Sequence, residues 1–256
     1  MNSARGHGPP RTGQSFVPRL RGVVAHTPLG RHAAGVAGPW IMWVREAGRR
    51  VRLHWVAKML ATALGIPAFF AAYFWVLRHP FFPVTTMPLT ALDDWVEFRS
   101  GALPLYASLW LYVSIAPALL KHRRELVAIG LSALLLSAIG LGIFMLWPTA
   151  VPAFEIDLKL HPDMVILKGL DVAANACPSL HVAFAVFNAI WLERLLRETH
   201  APLGLRAFNT AWCLAIAYST LATRQHVVLD VVAGIALGAA IALPSVRLLG
   251  TPRPGS

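Results

Sequence analysis

From residue 55 onward the chain alternates between long apolar runs and short stretches rich in charge. Six runs stand out: Val56–Leu77, Leu103–Leu120, Leu126–Leu146, Leu180–Leu196, Ala207–Thr223 and Val227–Val246. Each holds about 17–22 residues, and the third carries no charge at all. At about 1.5 Å of rise per residue, such a run crosses the roughly 30 Å of bilayer hydrocarbon as a helix. The pattern predicts an all-α polytopic membrane protein with six transmembrane helices. Gly65, Pro67, Pro117, Gly140 and Gly142 fall inside runs, which membrane helices tolerate.

Before the runs the pattern is different. Residues 1–40 are rich in Gly, Arg and Pro, hold no acid and show no continuous apolar stretch of the kind that opens a secretory signal. They read as a disordered basic arm; an organelle transit peptide has a similar composition. Residues 40–54 (WIMWVREAGRRVRLH) mix large apolar residues with four arginines and predict an interfacial helix leading into the membrane. The expected organisation is an arm at 1–40, one six-span domain at 41–250 and a tail at 251–256.

Composition agrees with the pattern. The chain is 56% hydrophobic and 14% charged, whereas a soluble domain carries about 25% charged residues. A net charge of +11 raises the question of nucleic acid, but no basic-aromatic binding module is present. The basic residues instead sit in short connections. With the N-terminus inside, 18 of the 23 Lys and Arg fall on the cytoplasmic side. The outer side holds only Arg78, Arg99, Lys159, Lys168 and Arg224. The positive-inside rule therefore predicts N-in, C-in; the membrane expected is the bacterial cytoplasmic one. Two long outer connections, 79–102 and 147–178, are acidic through Asp93, Asp94, Glu97, Glu155, Asp157, Asp163 and Asp171. The pair Asp93-Asp94 predicts the cap of a short interfacial helix over Asp-Asp-Trp-Val-Glu-Phe.

Ionisable residues at membrane depth are costly and point to function. His181 opens the fourth run, in Cys177-Pro178-Ser179-Leu180-His181. His226 and Asp230 open the sixth, four residues apart and so on one helical face. The predicted topology puts the start of the fourth run, the end of the fifth and the start of the sixth on the same outer face. His181, Arg224, His226 and Asp230 then share one site. Two histidines, an aspartate and an arginine suit phosphoryl transfer without a metal or cofactor. One imidazole attacks phosphorus, the aspartate stabilises the imidazolium, and the second imidazole protonates the leaving oxygen. Arg224, Ser179 and the N–H groups opening the fourth helix are suited to hold phosphoryl oxygens. No Cys/His cluster has metal-ligand spacing, and Cys177 and Cys213 lie in different runs.

Cys-Pro-Ser-Leu-His resembles the Pro-Ser-x-His motif of the type 2 phosphatidic acid phosphatase superfamily. His226-x-x-x-Asp230 followed by Val-Val-Ala-Gly is similar to that family's last motif. The resemblance implies six spans, an active site on the outer face and a membrane lipid as substrate. It makes His226 the nucleophile, Asp230 its orienter, His181 the general acid and Ser179 a phosphate ligand. Two motifs of that family are missing. The 147–177 segment holds no Lys-x6-Arg-Pro, and Thr220 stands where Ser-Arg is expected. Arg224, Lys159 and Lys168 are the basic residues available instead. The reduced set is similar to the branch of inositol-phosphorylceramide and sphingomyelin synthases, which pass a phospho-headgroup to a lipid alcohol rather than to water. Two other classes compete. A transporter would need polar residues along several runs, and the third has only serines. A catalytically dead scaffold would be expected to lose one of the three site residues, and all are present.

Overall fold

A computed structural model describes residues 38–157, 159–165 and 175–249, all within one unit spanning Ala37–Ser256. The arm (save 38–40), the 251–256 tail, Lys168 and Asp171 lie outside the described residues. The helices follow the apolar runs. They are α1 (Pro39–Arg52), α2 (Trp55–Arg78), α3 (Leu103–Ala107), α4 (Leu109–Leu119), α5 (Arg123–Leu146), α6 (Leu180–Glu198), α7 (Leu203–Ala222) and α8 (Val228–Leu248). The second run is therefore two helices. They meet at Ser108, whose hydroxyl donates to the Leu105 carbonyl at 2.6 Å. A two-residue parallel ladder, β1 (Thr85–Thr86) with β2 (Thr149–Ala150), joins the two long connections.

Among the described residues, four helical stretches are long and apolar enough to cross a membrane: Trp55–Arg78, Ser100–Leu119, Arg123–Leu146 and Val228–Leu248. The reason α6 differs is its position. Eleven of its 19 residues are buried, because it is packed by α4, α5, α7 and α8. A helix covered by protein needs no apolar surface all round, and α6 carries Glu193, Arg194 and Arg197 in its last turns. Glu193 pairs with Arg206 at 2.7 Å, and Arg194 with Glu125 at 2.9 Å. Arg50 of α1 pairs with Glu198 at 2.7 Å. These buried and half-buried charges close the end of the bundle opposite His181.

The packing of α6 on α8 is the tightest in the fold and sets the site. A Cβ on Gly234 would stand 2.5 Å from the Ser179 carbonyl oxygen, and one on Gly238 would meet the Ala183 backbone. Small residues at a four-residue spacing let two helix backbones touch, as in membrane dimer motifs. The contact brings the first turn of α6 against the first turn of α8.

Candidate active site

Ser179 ends the extended approach to α6 and caps it. Its Oγ accepts from the Val182 N–H at 3.3 Å, as an N-cap serine does. Its own N–H donates to the Asp230 carbonyl at 3.0 Å, a direct link between the two motifs. Just before it, the Cys177 N–H donates to the Thr149 hydroxyl at 2.8 Å. The N–H groups of Leu180 and His181 find no backbone acceptor among the described residues. A helix start of this kind attracts anions through free N–H groups and the helix dipole.

His181 is 9% exposed. Its Nε2 lies 2.9 Å from the Tyr106 carbonyl. A carbonyl only accepts, so Nε2 carries the hydrogen and Nδ1 is left for proton transfer. The Tyr106 ring stacks on the imidazole at 3.9 Å between centroids and 15° between planes. The Ser179 N–H bond to the Asp230 carbonyl sets the first turn of α6, which carries His181, beside the first turn of α8.

His226 and Asp230 meet as their spacing predicts. Nδ1 stands 3.5 Å from Oδ2 of the fully buried Asp230. That is an ion-pair distance rather than a formed hydrogen bond. His226 Nδ1 and Asp230 Oδ1 have no hydrogen-bond partner among the described residues. Catalytic contacts of this kind often stand long before substrate closes them. The same Oδ2 that faces His226 accepts from the Val227 N–H at 3.0 Å.

Arg224 lies in the turn between α7 and α8, with φ at +54°. That left-handed conformation costs a non-glycine residue about 1–2 kcal/mol. It is held by the Thr220 carbonyl, which accepts from both Gln225 and His226 N–H groups at 3.0 and 3.2 Å. Thr220, where the resemblance leads one to expect Ser-Arg, thus serves as a turn anchor through its backbone. The Arg224 guanidinium sits 4.7 Å over the Phe154 ring. Its Nη1 donates to the Asp93 carbonyl at 3.3 Å, so it is fixed by protein on two sides and keeps most of its five N–H donors.

Asp93 corrects a sequence expectation. Residues 91–96 form turns, not a short helix. The buried Asp93 carboxylate instead takes the Val228 N–H at 2.8 Å and the Thr90 N–H and hydroxyl at 2.7 Å each. Burial opposes its charge, but these donors and nearby Arg224 outweigh that and hold the carboxyl below its ordinary range. Asp94 beside it is exposed. The turn pattern Thr90-x-x-Asp93 was the visible signal; its partner 135 residues away was not.

The remaining candidates fall elsewhere. Lys159 is exposed, and its N–H donates to Asp157. Among the described residues no group of three or more His, Cys, Asp or Glu is arranged to hold a metal ion.

No curated protein matches the chain, and no solved structure does. A family model described as the PAP2 superfamily matches residues 89–243. That match starts at the Asp93 turn, takes in Ser179, His181, Arg224, His226 and Asp230, and ends inside α8. With more than half its length under one family model, and the model's span enclosing every residue gathered at the start of α6 and α8, the chain belongs to the PAP2 superfamily, a family of membrane phosphatases and phosphotransferases.

Proposed function

We propose that this integral membrane protein transfers phosphoryl groups from a lipid phosphate or phospholipid through a phosphohistidine, most simply as a lipid phosphate phosphatase. The observation that carries the reading is the His226–Asp230 pair at 3.5 Å, set against the capped start of α6 that carries His181. In this mechanism His226 Nε2 attacks phosphorus while Nδ1 faces Asp230. The Nε2–P bond forms as the ester P–O bond breaks. The leaving oxygen takes a proton from Nδ1 of the His181 imidazolium, whose other nitrogen is held by Tyr106. Ser179, the Leu180 and His181 N–H groups and Arg224 hold the phosphoryl oxygens. An acceptor hydroxyl then gives its proton to His181 and attacks phosphorus, and the N–P bond breaks.

The chain is read as six spans with both termini inside, and the site at the outer face. Water is the acceptor in the phosphatase reading. A second reading, headgroup transfer to a lipid alcohol, is favoured by the missing Lys-x6-Arg-Pro motif and by Thr220 at the Ser-Arg position.

The test uses purified protein in detergent with phosphatidate, polyprenyl diphosphate and labelled phosphatidylinositol, with diacylglycerol and ceramide as acceptors. Free phosphate that disappears with His226→Ala supports the hydrolase. Labelled lipid product without free phosphate supports the transferase. No turnover, and no acid-labile phosphoprotein in the wild type, would sink both.

A further inference from the structure

His226 follows a turn that the Thr220 carbonyl ties to the end of α7. Arg224 is left-handed, and Val227 enters α8 extended. A second set of ties, from outside α7 and α8, comes from the 79–102 connection. The Arg99 N–H donates to the Ala222 carbonyl at 2.8 Å. The Asp93 carbonyl accepts from Arg224 at 3.3 Å, and the Asp93 carboxylate accepts from the Val228 N–H at 2.8 Å. One buried residue therefore holds the chain two positions before His226 and two positions after it. Its second carboxylate oxygen is tied back to its own loop by Thr90, so the anchor is rigid.

We infer that Asp93 is a positioning residue of the phosphoryl-transfer site. Its carboxylate sets the first turn of α8, and with it the aim of the His226 ring and of Asp230. Its carbonyl sets where the Arg224 guanidinium stands. It touches no reacting atom. The inference rests on the phosphoryl-transfer reading for its kinetic consequences, but the anchoring has a readout of its own.

A loss of alignment by about 1 Å at a reacting centre costs on the order of 100-fold in rate. Asp93→Ala is expected to lower kcat by about that factor with KM little changed. Asp93→Asn keeps an oxygen for the Val228 N–H and restores most of the rate. Combined with Arg224→Ala, the Asp93→Ala loss is less than additive, because both act on one arrangement. Thr90→Val removes a bond to the same carboxylate but leaves Val228 held; it lowers the melting temperature with kcat unchanged. Should Asp93→Ala fail to fold, Asp93→Glu displaces the carboxylate with its charge intact, and kcat should still fall.

The independent readout is carbethoxylation of His226 by diethyl pyrocarbonate, followed by peptide mass spectrometry. The rate changes with Asp93→Ala and returns with Asp93→Asn, whether or not any lipid is turned over. A wild type with neither turnover nor an acid-labile phosphoprotein would therefore sink the phosphoryl-transfer reading and leave this comparison to decide Asp93. Wild-type kcat in folded Asp93→Ala (or in Asp93→Glu where the alanine variant does not fold), full additivity with Arg224→Ala, or an unchanged His226 reaction rate would each overturn the inference.

Discussion

The carboxylates of Asp93 and Asp230 share the start of α8 between them: Asp230 takes the Val227 N–H at 3.0 Å and Asp93 the Val228 N–H at 2.8 Å. Two negative side chains thus occupy donors that would otherwise attract an anion. The start of α6 is capped by the neutral Ser179. In the phosphoryl-transfer reading, anchoring falls to one helix and anion binding to the other, although the two are packed backbone to backbone.

That packing is directly testable. Gly234→Ala puts a methyl group 2.5 Å from the Ser179 carbonyl oxygen, and neither backbone can yield without moving the other helix. Overpacking of this kind costs about 1–3 kcal/mol. Thermal unfolding in detergent should show a lower midpoint, together with a fall in activity as Ser179 is pushed from Asp230. A midpoint equal to the wild type would mean that the helices are not in contact there.

Much of this arrangement was legible in the sequence. The apolar runs marked the helices because hydrogen-bonding groups in lipid must be satisfied within a segment. The i,i+4 spacing placed His226 on Asp230, and Pro178-Ser179 marked the start of α6. What was not legible depends on distant partners. Asp93 reads as a local cap, because nothing near it shows that Val228 will come within reach. The break at Ser108 was hidden because Leu103–Leu120 reads as one run without a charged residue. Tyr106, which fixes the His181 tautomer through its backbone carbonyl, has no side-chain signal for that role.

Asp93 also makes acid stability predictable. Its folded pKa lies below the ordinary 3.8. It therefore stabilises the fold fully above about pH 4, and the contribution is lost as pH falls through the folded value. At pH 6 Asp93→Asn should melt lower than the wild type, and the gap should narrow below pH 4. A gap that stayed constant from pH 6 to pH 2.5 would contradict the depressed carboxyl.

Cys177 borders the site without a free thiolate. It is 8% exposed; burial first, and then the negative Asp230, push its thiol up to about 11. Thiolate is the reactive form, so maleimide at pH 7.5 should label native protein very slowly and label it fully once unfolded. Rapid labelling of Cys177 in the native protein, mapped by peptide, would show the 147–178 connection to be open.

Asp230→Asn separates charge from shape. The amide fits the same space and can still accept from the Val227 N–H, but it no longer stabilises an imidazolium at His226. By comparison with other carboxylate–histidine pairs, kcat should fall by about two to four orders of magnitude while the melting temperature changes little. A loss of under threefold would leave the pair a packing contact.

The role of His181 is best read through the leaving group. A general acid matters in proportion to the basicity of the oxygen it protonates. An alkoxide leaving from phosphatidate needs that proton; a nitrophenolate does not. In His181→Ala, turnover of phosphatidate should therefore fall by about 100-fold or more, while p-nitrophenyl phosphate loses far less. In His226→Ala both should fall together, because the nucleophile serves every substrate. Equal losses for the two substrates in His181→Ala would remove it as the acid and leave its Tyr106 contact a structural one. The comparison also separates the two histidines without any assumption about which lipid is the natural substrate, because it depends only on the chemistry of the bond that breaks.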